Sequence, residues 1–551
     1  MSATLRPESG VAAAEPADER PLLPKDGVMW TVALVALLAL TAFLMLYLTR
    51  GLTFNLDEWR LVTERRGPGA PSLLEPHNEH LSVVVLALYL GILKLGGLDA
   101  YAFLMLPLVG LQLGLGALLF VIARRRVGAG IAVAVAAFAL LCGLAYENFL
   151  IAGQAGQMFS IVAGVAAFAV LDLPPSRRND GVLAGLMAVA LASSGMGIPV
   201  VIGVTVELLL TAEGRRRLWV VAAPFGLYLV WYVFYGASRA SFDALGVSAL
   251  WAWTATNHAA GAIIGERQIE PGRDLLVILL IVIAYRAWRI DRAGRVRLAA
   301  LAVLLLTFYG LTAVSRHDIA PPSSSRYLTV GLVFLLLMLV EAARGWRIRR
   351  FVPWVMLLLV WISFGKRDGN AEAFRDARTL FLQRSDRVRA SLGAVELLGR
   401  ARVPATFEIS PNQAPFLMAG GWFGARAGLR GNPADSAAEI ERGTADVRES
   451  ADETLVRAGG LALGPPVERI TDCRRPWPGT SGVVPGGGVR VTAGPGRLTL
   501  RARRFGETWF MVGVLPLPPG TSADLRPLRD ASGQAYDLQA AGAARVCRLD
   551  G

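Results

Sequence analysis

The sequence predicts an all-α polytopic membrane domain of about eleven transmembrane helices, followed by a small extracytoplasmic α+β domain. Three observations carry that prediction. The chain of 551 residues is 54% hydrophobic and only 18% charged, with runs such as Val32–Leu48 and Leu275–Ala284, which sets a soluble enzyme aside. Its arginines fall in short clusters between those runs: Arg124–Arg126, Arg177–Arg178, Arg215–Arg217, Arg286 to Arg297, and Arg344 to Arg350. Cytoplasmic loops are written this way, so the formal net charge of +13 reports orientation and implies no nucleic-acid partner. From residue 366 onward the long apolar runs stop, and short ones alternate with Gly/Pro turns.

Residues 1–27 lack apolar periodicity and read as a disordered cytoplasmic tail. The apolar run at 28–49 is too long for a signal-peptide core, and no small-residue cleavage site follows it, so it stays in the membrane as the first span. Its N-terminus is then inside, and residues 50–100 form a first outer loop. Within that loop, LSVVVLALYLGILKL (81–95) is shorter than the ~20 residues a span needs. If it crossed, Arg124–Arg126 and every later cluster would change sides. If it lies along the outer interface or re-enters, all clusters fall inside, so a segment of that kind, an interfacial helix, is expected.

Further spans follow at 101–123, 128–146, 155–172, 181–193, 197–211, 218–235, 274–290, 298–314, 327–343 and 351–365, completing a membrane domain over 28–365. The segment 236–273, with Trp251, Trp253, His258, Glu266, Arg267 and Arg273, reads as a long outer loop. Residues 366–551 make the extracytoplasmic domain. Helical spacing of Phe374, Leu380, Phe381, Val388, Leu392, Val395 and Leu398 precedes strand-like segments at 497–503 and 509–515, so it is mixed and β-rich towards its end. Cys142 lies in an apolar run, whereas Cys473 and Cys547 lie where a disulfide can form if that region is outside the cytoplasm.

Charge beside a membrane is costly unless it faces water or does chemistry, and the first loop concentrates it: Asp57, Glu58, His77, Glu79 and His80. A rim carboxylate can take a proton from an attacking hydroxyl, and cationic groups can hold a departing phosphate. Arg316, His317, Arg326 and Tyr327 flank the outer turn SRHDIAPPSSSRY on the same face, although interfacial snorkelling also accounts for arginines there. On a helix, His77 and His80 would be i, i+3 neighbours and could join Asp57 in a divalent metal site. Substrate contacts are a second reading. In a third, Pro76 starts the short helix, with Asn78 and Glu79 capping its first turn. Glu147, Gln154 and Gln157 end two outer helix tips and either line the same cavity or bond helix to helix. No G-x-S-x-G, Walker, H-E-x-x-H or C-x-x-C motif occurs.

The order of these elements resembles the GT-C superfamily of integral-membrane glycosyltransferases, such as protein O-mannosyltransferases and aminoarabinose transferases. A first span leads to the acidic pair Asp57-Glu58, then to HNEHLSVVVLALYLGILKLGG, then to a span ending in Arg124–Arg126. HNEHL stands where that family has an H-P-P-L-like segment, and SSSRYLTV is similar to its late outer-loop junction. The resemblance implies a polyprenyl-phosphate-linked sugar donor and inversion at the anomeric carbon. It further implies a glycan, lipid or protein acceptor of the cell envelope, with the chain in a bacterial cytoplasmic membrane. Asp57 would be the general base with Glu58 as partner or substitute, Arg326 and Arg316 would face the lipid phosphate, and the C-terminal domain would help hold the acceptor. The competing class is a transporter or flippase for lipid-linked sugars, which should show repeats and broken helices at mid-membrane.

Overall fold

The computed structural model describes residues 25–65, 70–236, 245–346, 348–464, 466, 470–472, 481–496, 498–515, 518–528, 530 and 532–549. The N-terminal half of the bundle comprises α1 (Lys25–Leu48), α2 (Glu58–Thr63), α3 (Val83–Gly96), α4 (Tyr101–Val127), α5 (Ala129–Leu140), α6 (Glu147–Leu150), α7 (Ala155–Leu171), α8 (Arg177–Leu191) and α9 (Gly197–Leu209). It continues through α10 (Ala212–Arg215), α11 (Trp219–Tyr235), α12 (Leu245–Ile263), α13 (Ile269–Arg289), α14 (Arg292–Arg316), α15 (Ser325–Ala342) and α16 (Val352–Gly365). Among the described residues, five helical segments are long and apolar enough to cross a membrane: Gly27–Leu48, Tyr101–Val127, Ala152–Leu171, Arg292–Arg316 and Ser325–Ala342. Helices α5, α9 and α11 are apolar but shorter. The expected tail over 1–27 lies outside the described residues up to 24, and its last three residues begin α1.

One end of the bundle is closed by ion pairs. Arg126, in the last turn of α4, bonds both oxygens of Asp172 at 2.9 Å and also Glu341 at the end of α15. Arg297, in the first turns of α14, takes Glu207 at 2.6 and 2.7 Å and Asp172 at 3.0 Å. Arg217 takes Asp180 at 2.7 Å. The arginine-bearing loops therefore share one end, as the spacing of clusters requires. Helix α3 does not disturb this, because both its ends are held at the other end. Val84 N donates to the Ala192 carbonyl and Leu98 N to the Arg430 carbonyl, so α3 runs along the rim.

The segment 236–273 is not a plain loop. Residues 245–263 form α12, which packs into the bundle against α13, α14 and α15. Its contact face includes the small residues Ala255, Ala259 and Ala260, which allow close approach, with Ala259 against Gly331 of α15, and Trp251, whose ring packs against Tyr309 and Tyr327.

Beyond the bundle, α17 (Asn370–Leu398) buries Phe374, Phe381, Val388, Leu392, Val395 and Leu398 along one side, while Leu380, expected among them, is 40% exposed because it turns about 100° away from Phe381. It is followed by β1 (Glu408–Ser410), β2 (Ala414–Met418), α18 (Ala419–Gly428), α19 (Ala437–Arg442) and α20 (Ala445–Arg457). The rest is strand: β3 (Leu461–Gly464), β4 (Ile470–Asp472), β5 (Ser481–Val483), β6 (Val489–Ala493), β7 (Leu498–Arg503), β8 (Phe510–Leu515), β9 (Ser522–Pro527), β10 (Asp537–Ala541) and β11 (Ala543–Leu549). They form two antiparallel sheets, ordered β5-β10-β7-β8 and β3-β9-β6-β11-β4, while β1 and β2 pair as a hairpin. Alternate residues such as Leu498, Leu500 and Ala502 point into the core, the period of two that a half-covered sheet demands. Cys547 is disulfide-bonded and Cys142 is free and buried; Cys473 lies outside the described residues. The domain is docked on the rim, with Arg389 Nη2 donating to the Gly51 carbonyl at 2.8 Å and Thr53 N to Ser385 Oγ at 3.1 Å.

Candidate active site

The first loop presents its two adjacent carboxylates in opposite directions. Leu56 adopts φ +44, and Asp57 then occupies the position before α2 without making a capping bond. Its Oδ2 instead accepts from Asn78 Nδ2 at 3.0 Å. Glu58 turns inward and is 3% exposed, its two oxygens accepting from Asn55 N at 2.7 Å and Gly153 N at 2.6 Å. Burial pushes its carboxyl up to about 7, against the opposing pull of those two N–H donors. Glu58 therefore does not face the cavity. It fastens the first loop to the turn before α7.

HNEH is a tight hairpin turn and not the start of a helix. His77 and His80 exchange N–H···O bonds of 3.0 and 3.1 Å, and Asn78 and Glu79 between them take φ +49 and +72. Two consecutive left-handed residues are what a two-residue hairpin requires, and Asn tolerates that conformation best after Gly. The helix expected from Pro76 begins only at Val83, so the helical i, i+3 relation of the two histidines does not arise. Burial and the Arg65 guanidinium push His77 down to about 4, and burial and Arg316 do the same to His80. Both are neutral near pH 7. The His80 ring fits against Gly195 so closely that a Cβ there would sit 2.7 Å from it. Among the described residues no three His, Cys, Asp or Glu side chains gather as a metal site. The Asp57, His77 and His80 set is not assembled into one, and two nearby guanidinium groups would oppose a cation.

The arginines arrive from the late helices. Arg316, the last residue of α14, donates from Nη2 to the Asn78 carbonyl at 3.3 Å and lies 3.8 Å from Glu79. Arg326, in the first turn of α15, lies 3.3 Å from Glu147 and over the Tyr327 ring. Its carbonyl accepts from Gln157 Nε2 at 2.7 Å and Asn148 Nδ2 at 2.9 Å, and Gln112 Nε2 donates to the Asn148 carbonyl at 2.9 Å. A chain of amides thus sets the position of Arg326.

These groups surround one cavity of about 730 Å³ at the end of the bundle opposite the ion-paired face. Of the residues expected there, Asp57, His77, Glu79, His80, Gln154, Gln157, Arg316, Arg326 and Tyr327 line it. Glu58 does not, Glu147 stands behind Arg326, and His317 is exposed outside. The polar wall passes into an apolar one made by Phe225, Tyr228 and Leu229 of α11 and Leu311 of α14, with Leu229, Leu311 and the nearby Ile319 exposed at its rim. Helix α11 is tied to the first loop by Trp231 Nε1 donating to the Leu74 carbonyl at 2.6 Å.

Arg60 and Phe416 are among the lining residues not expected from the sequence. Arg60 lies one turn after Asp57, held by Glu64 and stacked 5.0 Å from the Phe416 ring. Phe416 reaches the cavity from β2 of the C-terminal domain, at φ +73 and 46% exposed. Spacing from Asp57 flags Arg60, but nothing local flags Phe416. Ser193 and Ser194 line the cavity with their hydroxyls already engaged, Ser193 with the Val189 carbonyl and Ser194 with Ser160.

No protein-family model matches this chain, and no curated protein matches it in sequence. Among solved structures it is similar to the crystal structure of ArnT from Cupriavidus metallidurans bound to undecaprenyl phosphate, at 15% identity and a TM-score of 0.38, over 73% of this chain and 76% of that one.

Proposed function

We propose that this protein is an integral-membrane glycosyltransferase of the GT-C type, moving a sugar from a polyprenyl-phosphate donor to a hydroxyl of a cell-envelope glycan, lipid or protein. The observation that carries the reading is the meeting of Asp57 with Arg60, Arg316 and Arg326 around one cavity whose far wall is apolar and exposed at the rim. A lipid phosphate needs that combination of a cationic pocket beside an apolar wall. The first-loop resemblance points the same way.

In this mechanism the acceptor oxygen attacks the anomeric carbon as Asp57 takes its proton. The bond from that carbon to the phosphate oxygen breaks, and the electron pair leaves on the phosphate. Asn78 occupies Asp57 Oδ2, which leaves Oδ1 for the proton. Arg326 and Arg316 counter the charge that builds on the leaving group, so no general acid is required. Neutral His77 and His80 suit hydroxyl groups of the sugar better than the phosphate. On this reading the arginine-bearing end is cytoplasmic and the cavity opens on the outer face of a bacterial cytoplasmic membrane. A transporter would want its polar groups near mid-membrane, whereas the ion pairs of the bundle gather at its ends.

Purified protein in nanodiscs, supplied with polyprenyl-phosphate-linked pentoses and hexoses, tests the assignment. Asp57→Asn is expected to lose about 10²-fold or more of transfer, the usual worth of a general base, with unchanged expression and melting. Near-normal transfer by that variant eliminates Asp57 as the base.

A further inference from the structure

We propose that Asn78 is a positioning residue that ties the base to an arginine facing the leaving group, its side chain aiming Asp57 and its carbonyl holding Arg316. The two roles it joins are those of the transferase reading, on which the proposal rests. Asp57 comes from the position before α2 and Arg316 from the end of α14, yet both bond the same residue. Asn78 Nδ2 donates to Asp57 Oδ2 at 3.0 Å, and the Asn78 carbonyl accepts from Arg316 Nη2 at 3.3 Å. The two internal bonds of the turn use only backbone groups of His77 and His80, so the Asn78 carbonyl is left over for an outside donor. Of the two ways round for the amide, only Nδ2 toward the carboxylate is attractive, because the amide oxygen would meet another acceptor there.

The backbone gives a second, independent sign. A two-residue hairpin puts both central residues in the left-handed region, where Asn-Gly or Gly-Gly is the unstrained choice. Here the second residue is Glu79, at φ +72, with its carboxylate 3.8 Å from Arg316. A long side chain held in that region is strained, and strain of this kind persists at sites where the direction of the side chain matters. Both turn residues direct their side chains at charged groups of the site, Asn78 at Asp57 and Glu79 at Arg316.

The frame around the turn is fixed, as a spacer between two reacting groups has to be. Arg65, just beyond α2, donates to the Glu75 and Pro76 carbonyls at 3.2 Å each, and on the other side the His80 ring is packed against Gly195. Taking a proton at one end of the reaction while charge builds at the other requires both groups in place at once, and a misplacement of about 1 Å can cost about 10²-fold in rate. A residue serving the turn alone would be replaceable by glycine, which takes the left-handed conformation at no steric cost.

Full-length protein in nanodiscs tests this with Asn78→Gly, which keeps the turn and its carbonyl and lacks only the amide. Its kcat for transfer is expected to fall about tenfold or more, with the donor KM, the Kd for undecaprenyl phosphate and the melting temperature unchanged. Asn78→Val resists the left-handed backbone and so moves the carbonyl as well; it should lose kcat and also bind undecaprenyl phosphate about threefold or more weakly. Full kcat in Asn78→Gly, or a loss that tracks a lower melting temperature, would reduce Asn78 to a turn residue, and undiminished phosphate binding by Asn78→Val would break the link to Arg316. If the wild type transfers from no polyprenyl-phosphate donor, the transferase reading fails by itself, and the tie is still decided by the Asp57 Cγ resonance of aspartate-labelled protein, assigned with Asp57→Asn. That signal should move in Asn78→Gly; a signal left in place overturns the proposal.

Discussion

Replacing Glu58 separates a residue that holds the site from the neighbour proposed as the base. Its buried carboxylate is the acceptor for two backbone N–H groups, Asn55 and Gly153. Alanine leaves both donors without a partner, at about 1–3 kcal/mol each, so the first loop should come loose by about 2–6 kcal/mol. Glutamine keeps one acceptor oxygen and turns an NH₂ group toward the other donor, so about half that loss is expected. Hydrogen exchange in nanodiscs reads this directly: the Gly153 and Asn55 amides should exchange at least tenfold faster in Glu58→Ala, because ~1.4 kcal/mol is a factor of ten. Transfer should fall as well, since Asp57 rides on the same loop. In Asp57→Asn the partner Asn78 can still bond the new amide oxygen, so exchange at Gly153 should be unchanged while transfer is lost. If Glu58→Ala abolished transfer with Gly153 as protected as in the wild type, Glu58 would belong to the chemistry and the latch argument would fail.

Three further outcomes follow from the same coordinates. Phe416 holds a left-handed backbone, so Phe416→Gly should raise the melting free energy by about 1 kcal/mol while stripping the ring from the cavity and slowing transfer; a loss of stability would mean the backbone there is unstrained. Arg297→Met should cost about 3–5 kcal/mol in thermal melts, because Glu207 loses both its bonds to that guanidinium while Asp172 keeps Arg126, and the double variant with Glu207→Gln should recover most of it. His77 and His80 both sit at about 4 when folded and near 6.5 when unfolded, so the unfolded chain binds more protons in between. Wild-type stability should therefore drop relative to a His77→Asn/His80→Asn variant as pH falls from 6.5 toward 4, by up to about 1.4 kcal/mol per unit per histidine; parallel melting curves would contradict the burial of the rings.

What the sequence discloses about this fold, and what it hides, has a physical pattern. Charges at the edge of apolar runs are costly, so the few that exist are informative, and Asp57, Arg316 and Arg326 could be placed at one cavity although about 260 residues separate the first from the others. The choice between Asp57 and Glu58 could not. Successive residues on a helix turn by about 100°, and only the packing of α2 decides which of the two faces the cavity. His77-Asn78-Glu79-His80 was legible as a turn by its Asn, a signal that competed with the helix-starting cue of Pro76. Helix α12 was hidden because Thr254, Thr256, Asn257 and His258 interrupt its apolar run, although Asn257 is itself buried in the packed helix. Phe416 was out of reach altogether, since its place depends on a hairpin that docks from another part of the chain.

The two ends of the bundle show why one is a site and the other a clamp. Arg126 and Arg297 are almost wholly covered and hold their carboxylates at 2.6–3.0 Å through several bonds each, apart from the still closer Arg126–Glu341 contact. An incoming anion would have to break saturated, desolvated pairs, which is costly. Arg316 and Arg326 meet their carboxylates at 3.8 and 3.3 Å, and the Arg326 side chain is 41% exposed. Contacts that long are weak, so the charged oxygens of a phosphate can displace or share them at little cost. The same residue type is therefore structural at one end and available at the other, and what separates the two is how much hydrogen-bonding capacity the fold has left unspent.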